Sequence, residues 1–263
     1  MHNLVLYCKS YSGDLDRLVN LAISIEKHNV DKIPFYVSVP YKEKRLFEDK
    51  LPDWVEIIDD ELVYYPPVNP IRGWHQQQLV KAKFFLSGIS RYYVCIDSDS
   101  YFFKDFNYQS FMKDLNTPYL VMHDGTSLHE WWDRYGKEHY NFDIREGDTK
   151  EYNSIKKILG NEGTKQWDFS PSPFVFDTEV WKWLDRNFGI DELFNVHPNE
   201  LKYYGEGAIK SGAQFQSTGP LFKCMHYPEQ YQWYKEMGYT EEHFHPQYLG
   251  MVMQSNWNAP LKY

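Results

Sequence analysis

The sequence predicts an α/β fold in which a mostly parallel central sheet is flanked by helices. Short runs of β-branched, aromatic and other apolar residues, typical of buried strands, alternate with longer segments of helical periodicity. This alternation predicts right-handed strand–helix–strand units, which make the strands parallel. With 263 residues, the chain is long enough for one large core, so we expect a single domain over residues 1–263.

The first part of the chain supplies the alternating pattern. Apolar residues at helical spacing predict an amphipathic helix over residues 14–28, between two buried strands. The proline-rich segment at 63–72 is expected to be irregular. The elements predicted in this part are strands at 3–8, 34–39, 54–58 and 92–96 and helices at 14–28, 41–50 and 73–86.

The second part of the chain is less regular and predicts a smaller half. In residues 168–184 a turn leads into a short strand and then into a helix capped by Asp177 or Thr178. The polar stretch at 127–165 is expected to form a helical insertion. The other elements predicted here are strands at 119–123 and 221–226, an acidic helical stretch broken by glycines at 199–207, and an aromatic, partly helical segment at 230–263 that folds back as a lid.

Composition restricts the classes of function. The formal net charge of −9 disfavours non-specific binding to a nucleic-acid backbone. Aromatic residues make up 18% of the chain, which suits surfaces that stack on sugar faces as well as an aromatic core. The three cysteines show no metal-type spacing and predict buried thiols in a reducing cytoplasm. The longest apolar runs are about as long as a strand, so no membrane-spanning segment is expected.

Two carboxylates follow the predicted strand at 92–96 directly, in the segment Asp97-Ser98-Asp99. Residues i and i+2 of an extended segment point the same way, so both carboxylates reach a common point just past the strand end. Open α/β sheets bind their ligands at this edge, and hard oxygen ligands suit Mg²⁺ or Mn²⁺. Asp97 and Asp99 therefore predict a metal site, with a turn that only caps the next segment as the alternative.

A strand that ends in Asp-X-Asp near residue 97 of an α/β chain resembles the signature of the GT-A nucleotide-sugar glycosyltransferases. The resemblance implies a GT-A (Rossmann-like) fold, with a donor nucleotide-binding half at 1–105 and an acceptor-side half with a C-terminal lid at 106–263. It further implies transfer of a sugar to an acceptor hydroxyl. The implied donor is a nucleoside-diphosphate sugar, with a UDP-sugar as the expectation, and the implied cofactor is Mn²⁺ or Mg²⁺.

The resemblance also assigns donor contacts. Lys9 begins the loop after the first strand, where a sugar nucleotide would first be met. In GT-A enzymes the helix before the Asp-X-Asp strand commonly contacts the donor, which makes Gln77 a candidate for the base or ribose and Lys81 a candidate for the diphosphate. Asp97 and Ser98 complete this donor set. Solvated side chains on an exposed helix face are the alternative for Gln77 and Lys81.

The remaining candidates lie in the second part of the chain. Asn199-Glu200-Leu-Lys-Tyr-Tyr-Gly205 resembles a Ser-Glu-Tyr-Glu-Leu-Tyr-Gly pattern of little-characterised bacterial and phage GT-A-like proteins. Glu200 is therefore the candidate acid on the acceptor side, and Asp168 is the second. His226 ends a late strand, as does the histidine that closes the metal site in many GT-A enzymes, and neutral imidazole suits Mn²⁺. A helix-capping acid and a hydrogen-bonded core histidine are the alternatives.

Two other functions fit parts of the pattern. A nucleotidyltransferase also uses paired carboxylates and Mg²⁺, although Ser10-Tyr-Ser-Gly13 is a poor match to a glycine-rich phosphate loop. A non-catalytic carbohydrate-binding protein would use the tryptophan and tyrosine surface. The expected acceptor is a glycan or a lipid-linked sugar, and a hydroxymethylated base in phage DNA is an alternative that the acidic charge disfavours. The sequence leaves the donor sugar and the choice between retention and inversion open.

Overall fold

A computed structural model describes residues 1–64, 73–139 and 144–263. Most of the predicted irregular segment at 63–72, and residues 140–143 of the predicted insertion, thus lie outside the described residues. The strands are β1 (His2–Lys9), β2 (Phe35–Val39), β3 (Glu56–Asp59), β4 (Ser90–Cys95), β5 (Ser100–Phe102), β6 (Met112–Asp114), β7 (Thr117–Val121), β8 (Phe174–Asp177), β9 (Gln216–Thr218), β10 (Phe222–Met225) and β11 (Gly250–Met253). The α-helices are α1 (Leu15–His28), α2 (Lys44–Glu48), α3 (Gly73–Lys83), α4 (Thr126–Trp131), α5 (Lys137–His139), α6 (Ile144–Leu159), α7 (Thr178–Phe188), α8 (Ile190–Val196), α9 (Glu200–Ser211) and α10 (Pro228–Glu236).

A five-stranded sheet in the order β3-β2-β1-β4-β8 forms the centre of the molecule. β1 pairs in parallel with β2 and β4, and β2 pairs in parallel with β3. β8 joins the edge at β4 antiparallel, so the sheet is mixed. The α/β class predicted from the sequence is confirmed. The direction of β8 was not predicted, because a short buried run reads alike in a parallel or an antiparallel strand.

The strand order places a reversal of chain progression at β1. The chain runs outward from β1 to β2 and β3, then returns to the other side of β1 as β4. At such a switch point the connections leave in opposite directions, which opens a crevice beyond the carboxyl ends of the two central strands. Lys9 ends β1 and Asp97 follows β4, so both lie at this edge.

A second, three-stranded sheet has the order β10-β11-β5 and is called the small sheet below. β10 and β11 are parallel, and β5 is antiparallel to β11. The start of β5 therefore lies at the edge where β10 and β11 end. β11 is a correction to the expectation of an aromatic, partly helical segment at 230–263, since only α10 and short turns of that segment are helical. A further small sheet joins β6, β7 and β9.

Helix α9 is continuous across its two glycines, although the sequence suggested that they break it. A Cβ atom at Gly205 would lie 2.4 Å from the Phe169 ring, and one at Gly207 would lie 2.9 Å from the Leu184 side chain. Both distances are shorter than real contacts allow, so a larger residue at either position would force the neighbouring side chain to move. The glycines therefore bring α9 close to its neighbours, and the Tyr204 hydroxyl accepts a hydrogen bond of 2.7 Å from the Asp177 amide at the end of β8.

The core is continuous under the central sheet and includes Cys8 and Cys95, while a second cluster lies on the outer face of the small sheet. All three cysteines are buried and free, as the sequence predicted. Among the described residues, no helix has both the length and the apolar character needed to cross a membrane.

Candidate functional site

The acidic turn, Asp97-Ser98-Asp99, lies between β4 and β5. The Asp97 amide donates to Ser172 Oγ at 3.0 Å, and the Ser100 amide closes the turn on the Asp97 carbonyl at 3.1 Å. Asp99 is held from the C-terminal segment, because the Met253 amide donates to its carbonyl at 2.8 Å and the Ser255 amide donates to Oδ2 at 2.9 Å. Its other oxygen, Oδ1, is buried without a hydrogen-bond partner among the described residues.

Ionisation of Asp99 is costly in this setting. Burial raises its pKa from 3.8 to about 7, with the negative charge of Asp97 adding to the effect and the Ser255 amide opposing it. A cation stabilises a buried carboxylate oxygen that lacks a partner and feels the negative charge of a second carboxylate. The carboxylate oxygens of the acidic turn are thus chemically suitable ligands for the divalent ion that the sequence predicted.

The ammonium of Lys81 links the acidic turn to helix α9. Lys81 Nζ lies 2.5 Å from Asp97 Oδ1 and 3.2 Å from Glu200 Oε1, and the lysine is 4% exposed. Two neighbouring carboxylates outweigh burial and raise the pKa of Lys81 above its ordinary value, so it is charged. The sequence suggested an ammonium open to a diphosphate, whereas in the structure the Lys81 ammonium is buried between Asp97, which is partly exposed, and Glu200, which is buried.

Glu200 is the first residue of α9, whose start is capped by the Asn199 side chain accepting from the Lys202 amide at 3.1 Å. The Gln78 side-chain amide lies against the Glu200 carboxylate and accepts from Trp74 Nε1 at 3.1 Å. Burial raises the pKa of Glu200, and the Lys81 charge opposes that rise. A carboxyl group whose pKa is raised in this way keeps its proton to a higher pH than an exposed one, as a general acid or base requires.

A cleft of about 520 Å³ lies beyond the ends of β1, β2 and β3 and is called the strand-end cleft below. This volume falls within the range typical of small-molecule sites. Its rim carries the half-exposed rings of Tyr11 and Trp74. Its lining includes Lys9, Tyr11, Asp14, Asp60, Trp74, Gln77 and Ser255.

Two charged side chains at the bottom of the strand-end cleft, those of Lys9 and Asp60, form an ion pair. Lys9 Nζ lies 2.9 Å from Asp60 Oδ2, and both side chains are nearly inaccessible. Asp14 hydrogen-bonds the Ser98 hydroxyl, and burial raises the Asp14 pKa. Asp14 occupies the N-cap position of α1, but its side chain makes no cap hydrogen bond there and instead joins the cleft to the acidic turn. Lys9 and Gln77 thus lie in one cleft, with Ser98 at its border.

Asp168 and His226 line a different, small cavity together with His123 and Trp131. Asp168 Oδ1 accepts from the Ser170 amide at 2.8 Å and from the Ser170 hydroxyl at 2.6 Å. Burial, helped by the Lys223 charge, lowers the pKa of His226 to about 4, so its imidazole is neutral at pH 7. The Cys224 thiol lies 3.5 Å from its Nδ1.

His226 and Asp99 lie at the same edge of the small sheet. Ser100 pairs with Val252, and Val252 pairs with Cys224, two residues before His226. Within the described part of the chain, however, no group of three or more His, Cys, Asp or Glu side chains is arranged to hold a metal ion. The structure therefore places Asp97 and Asp99 in one turn before β5 and leaves the third predicted ligand, His226, after β10, with β11 between the two strands.

We expect the titration of Asp99 to appear in the stability of protein freed of divalent ions with EDTA. Its folded pKa of about 7 lies above the ordinary value of 3.8. The stabilisation that it contributes is thus complete below pH 4 and is lost as the pH rises through 7. Wild type should lose more thermal stability than Asp99→Asn between pH 5 and pH 8. Parallel melting curves for the two proteins would contradict this.

Sequence reasoning missed several residues of this site. Asp60 follows β3 at the same sheet edge as Asp97. Open α/β sheets bind ligands beyond the carboxyl ends of their strands, so Asp60 could have been predicted in the same way as the acidic turn. Gln78 adjoins Gln77 on α3, but its contact with Glu200 depends on how α3 and α9 pack. Ser255 carried no signal, because it reaches Asp99 only through the unpredicted strand β11.

Comparison with protein-family models gives one match. A model described as a family of unknown function (DUF6492) matches residues 3–201. The matched region contains the central sheet, the acidic turn, Lys81 and Glu200, and it ends before β10 and β11. No curated protein matched the chain in a sequence search.

Proposed function

We propose that this chain, which belongs to the family of unknown function DUF6492, is a metal-dependent glycosyltransferase of the GT-A type. The observation that carries the proposal is the joining of three features at the switch point of the central sheet. These are a cleft of about 520 Å³, an acidic turn with a buried carboxylate oxygen that lacks a partner among the described residues, and a buried acid, Glu200, linked to that turn by Lys81.

In this proposal the strand-end cleft binds the nucleoside part of the donor. The rings of Tyr11 and Trp74 offer flat apolar surfaces for a base, and Gln77 offers an amide for polar atoms of the base or ribose. Lys9 and Asp60 form the floor as a closed ion pair. The diphosphate then lies at the border with the acidic turn, where Ser98 and Asp97 face it.

Asp97 and Asp99 would hold Mn²⁺ or Mg²⁺, with His226 as the candidate third ligand. Bound there, the ion would supply positive charge that offsets the charge on the diphosphate leaving group. Lys81 keeps Asp97 and Glu200 at fixed separation. Glu200 acts on the acceptor, as a general base if the reaction inverts or as a positioning group if it retains. Asp168, in the small cavity beside His226, is the second candidate for that role.

A binding and turnover experiment tests the proposal. Isothermal titration with UDP, GDP and ADP in the presence of Mn²⁺ should show saturable binding of at least one of them. A panel of the matching nucleotide sugars should then release nucleoside diphosphate. Release of pyrophosphate from a nucleoside triphosphate would identify a nucleotidyltransferase instead. The proposal fails if no nucleoside diphosphate binds.

His226→Ala should raise the Mn²⁺ concentration needed for half-maximal donor turnover, by about ten- to a hundredfold, and excess Mn²⁺ should partly restore the rate. The reason is the loss of one neutral imidazole from the metal's surroundings, with Asp97 and Asp99 still present. A metal titration of turnover in both proteins measures this shift. An unchanged half-maximal concentration would remove His226 from the metal site.

The acceptor in this proposal is the hydroxyl of a glycan or a lipid-linked sugar. The net charge of −9 disfavours DNA as acceptor, because DNA phosphates bind to positively charged protein surfaces and are repelled by negatively charged ones. Adding duplex DNA with and without hydroxymethylated bases to the turnover assay tests this directly. A cytoplasmic location is proposed from the three buried free thiols.

A further inference from the structure

A second cleft, of about 470 Å³, lies on the outer face of the small sheet and is called the tyrosine cleft below. It is bounded by β5, by β10 and β11, and by the chain from α10 to Phe244. Its lining includes Tyr101, Tyr231, Tyr234, Tyr239, Glu241 and Glu242. None of these residues lines the strand-end cleft or the small cavity at His226.

The walls of the tyrosine cleft combine ring faces with polar groups. Tyr239 is 42% exposed. Its ring stacks on the Phe244 ring, with centroids 5.9 Å apart and planes inclined by 23°, and on the Trp233 ring, at 6.1 Å and 28°. Tyr234 stands edge-on to the Tyr239 and Phe244 rings. The Tyr101 hydroxyl donates to Glu241 Oε1 at 2.9 Å. Flat apolar faces are thus interspersed with hydroxyl and carboxylate groups.

The charges of the tyrosine cleft cancel. Lys262 Nζ lies 2.8 Å from Glu241 Oε2, and Lys235 and Glu242 add one further charge of each sign. A polyanion such as nucleic acid needs an excess of cations, which this cleft does not offer. A neutral ligand with apolar faces and many hydroxyls matches it better, since rings take the apolar faces and carboxylates accept from the hydroxyls.

We propose that the tyrosine cleft binds a neutral oligosaccharide, and that this oligosaccharide is the body of the acceptor. The second part of this inference rests on the proposed glycosyltransferase function. β5 connects the tyrosine cleft to the acidic turn, because Tyr101 in the cleft follows Asp99 by two residues, about 7 Å along a strand. β11 connects them a second time, with Met251 in the cleft and Ser255 on Asp99.

Titration of the purified chain with soluble oligosaccharides tests the proposal without any donor. The probes are maltohexaose, cellohexaose and chitotetraose. Their binding is measured by saturation-transfer NMR and isothermal titration. We expect saturable binding of at least one probe to wild type. Tyr239→Ala should weaken that binding about tenfold because it removes a ring face, and Tyr239→Phe should retain it because the face remains.

Tyr41→Ala is the matched control, since Tyr41 is 67% exposed and lies outside the tyrosine cleft. It should bind the same probe as tightly as wild type. The proposal is overturned if none of the three probes binds, or if Tyr239→Ala binds as wild type does. It is also overturned if sedimentation shows a wild-type dimer that Tyr239→Ala dissociates, because the cleft would then be a subunit contact.

Nucleotide binding separates this inference from the function on which it rests. Titration of the same variants with UDP, GDP and ADP in the presence of Mn²⁺ should give wild-type affinities. Oligosaccharide binding without nucleotide binding would support the cleft as a carbohydrate site and overturn its role as an acceptor site. Nucleotide binding without oligosaccharide binding would overturn the cleft and leave the proposed enzyme standing.

Discussion

Asp99→Asn should reduce donor turnover by at least about a hundredfold while leaving the fold intact. The asparagine keeps an oxygen for the Ser255 amide, which donates to Asp99 Oδ2 at 2.9 Å in wild type. It removes the negative charge that the proposed metal site needs. Donor hydrolysis measured across Mn²⁺ concentrations, with circular dichroism on the same preparation, gives both readings.

The same substitution should not lower stability above pH 7 in the absence of divalent ions. Burial and Asp97 both disfavour the charged form of Asp99, so a neutral amide relieves repulsion. The matched control is Asp105→Asn, because the Asp105 side chain is 72% exposed and contacts His28; it should keep wild-type turnover. Activity that survives Asp99→Asn would mean that the metal site is elsewhere or absent.

Lys81→Met should lower the free energy of unfolding by about 3–5 kcal/mol, the usual cost of removing one partner from a buried ion pair. The Lys81 side chain is 5% exposed and that of Glu200 is 8% exposed, so Glu200 would remain buried without its cation. Asp97 is 35% exposed and would be partly compensated by water. Urea denaturation followed by tryptophan fluorescence measures the change.

Lys83→Met on the same helix is the matched control. Lys83 Nζ lies 2.6 Å from Asp191 Oδ2, and the Asp191 side chain is 53% exposed. An ion pair open to water on one side contributes about 0–1 kcal/mol, so this variant should remain close to wild type. Adding Glu200→Gln to Lys81→Met should recover part of the lost stability. Equal losses in the two lysine variants would contradict the buried ion pair of Lys81 and Glu200.

The sequence was most informative where secondary structure follows from local pattern. The apolar run before Asp97 predicted β4, and helical spacing predicted α1 with the bounds observed to within one residue. The start of α9 was also predictable, because Asn199 is a favoured cap. These features depend on a few neighbouring residues, so a single sequence is enough to recognise them.

Contacts between distant segments were not predictable in the same way. Lys81 lies on a helix face that is polar in sequence, and only the packing of α3 against α9 buries it. The glycines of α9 looked like helix breakers because the Phe169 and Leu184 side chains that they accommodate come from other segments. β11 is four residues long and follows an aromatic stretch, so its pairing with β5 left no periodic signal.

The hydrogen bond from Ser255 to Asp99 spans 156 residues, which has a consequence during protein synthesis. At a translation rate of 5–20 residues per second, Ser255 is made roughly 8 to 30 seconds after Asp99. Until then the acidic turn has neither its amide donor nor the strand that pairs with β5. A nascent chain on the ribosome is therefore expected to fold much of its central sheet first and to complete the acidic turn, the proposed metal site, only when residues 250–255 have emerged.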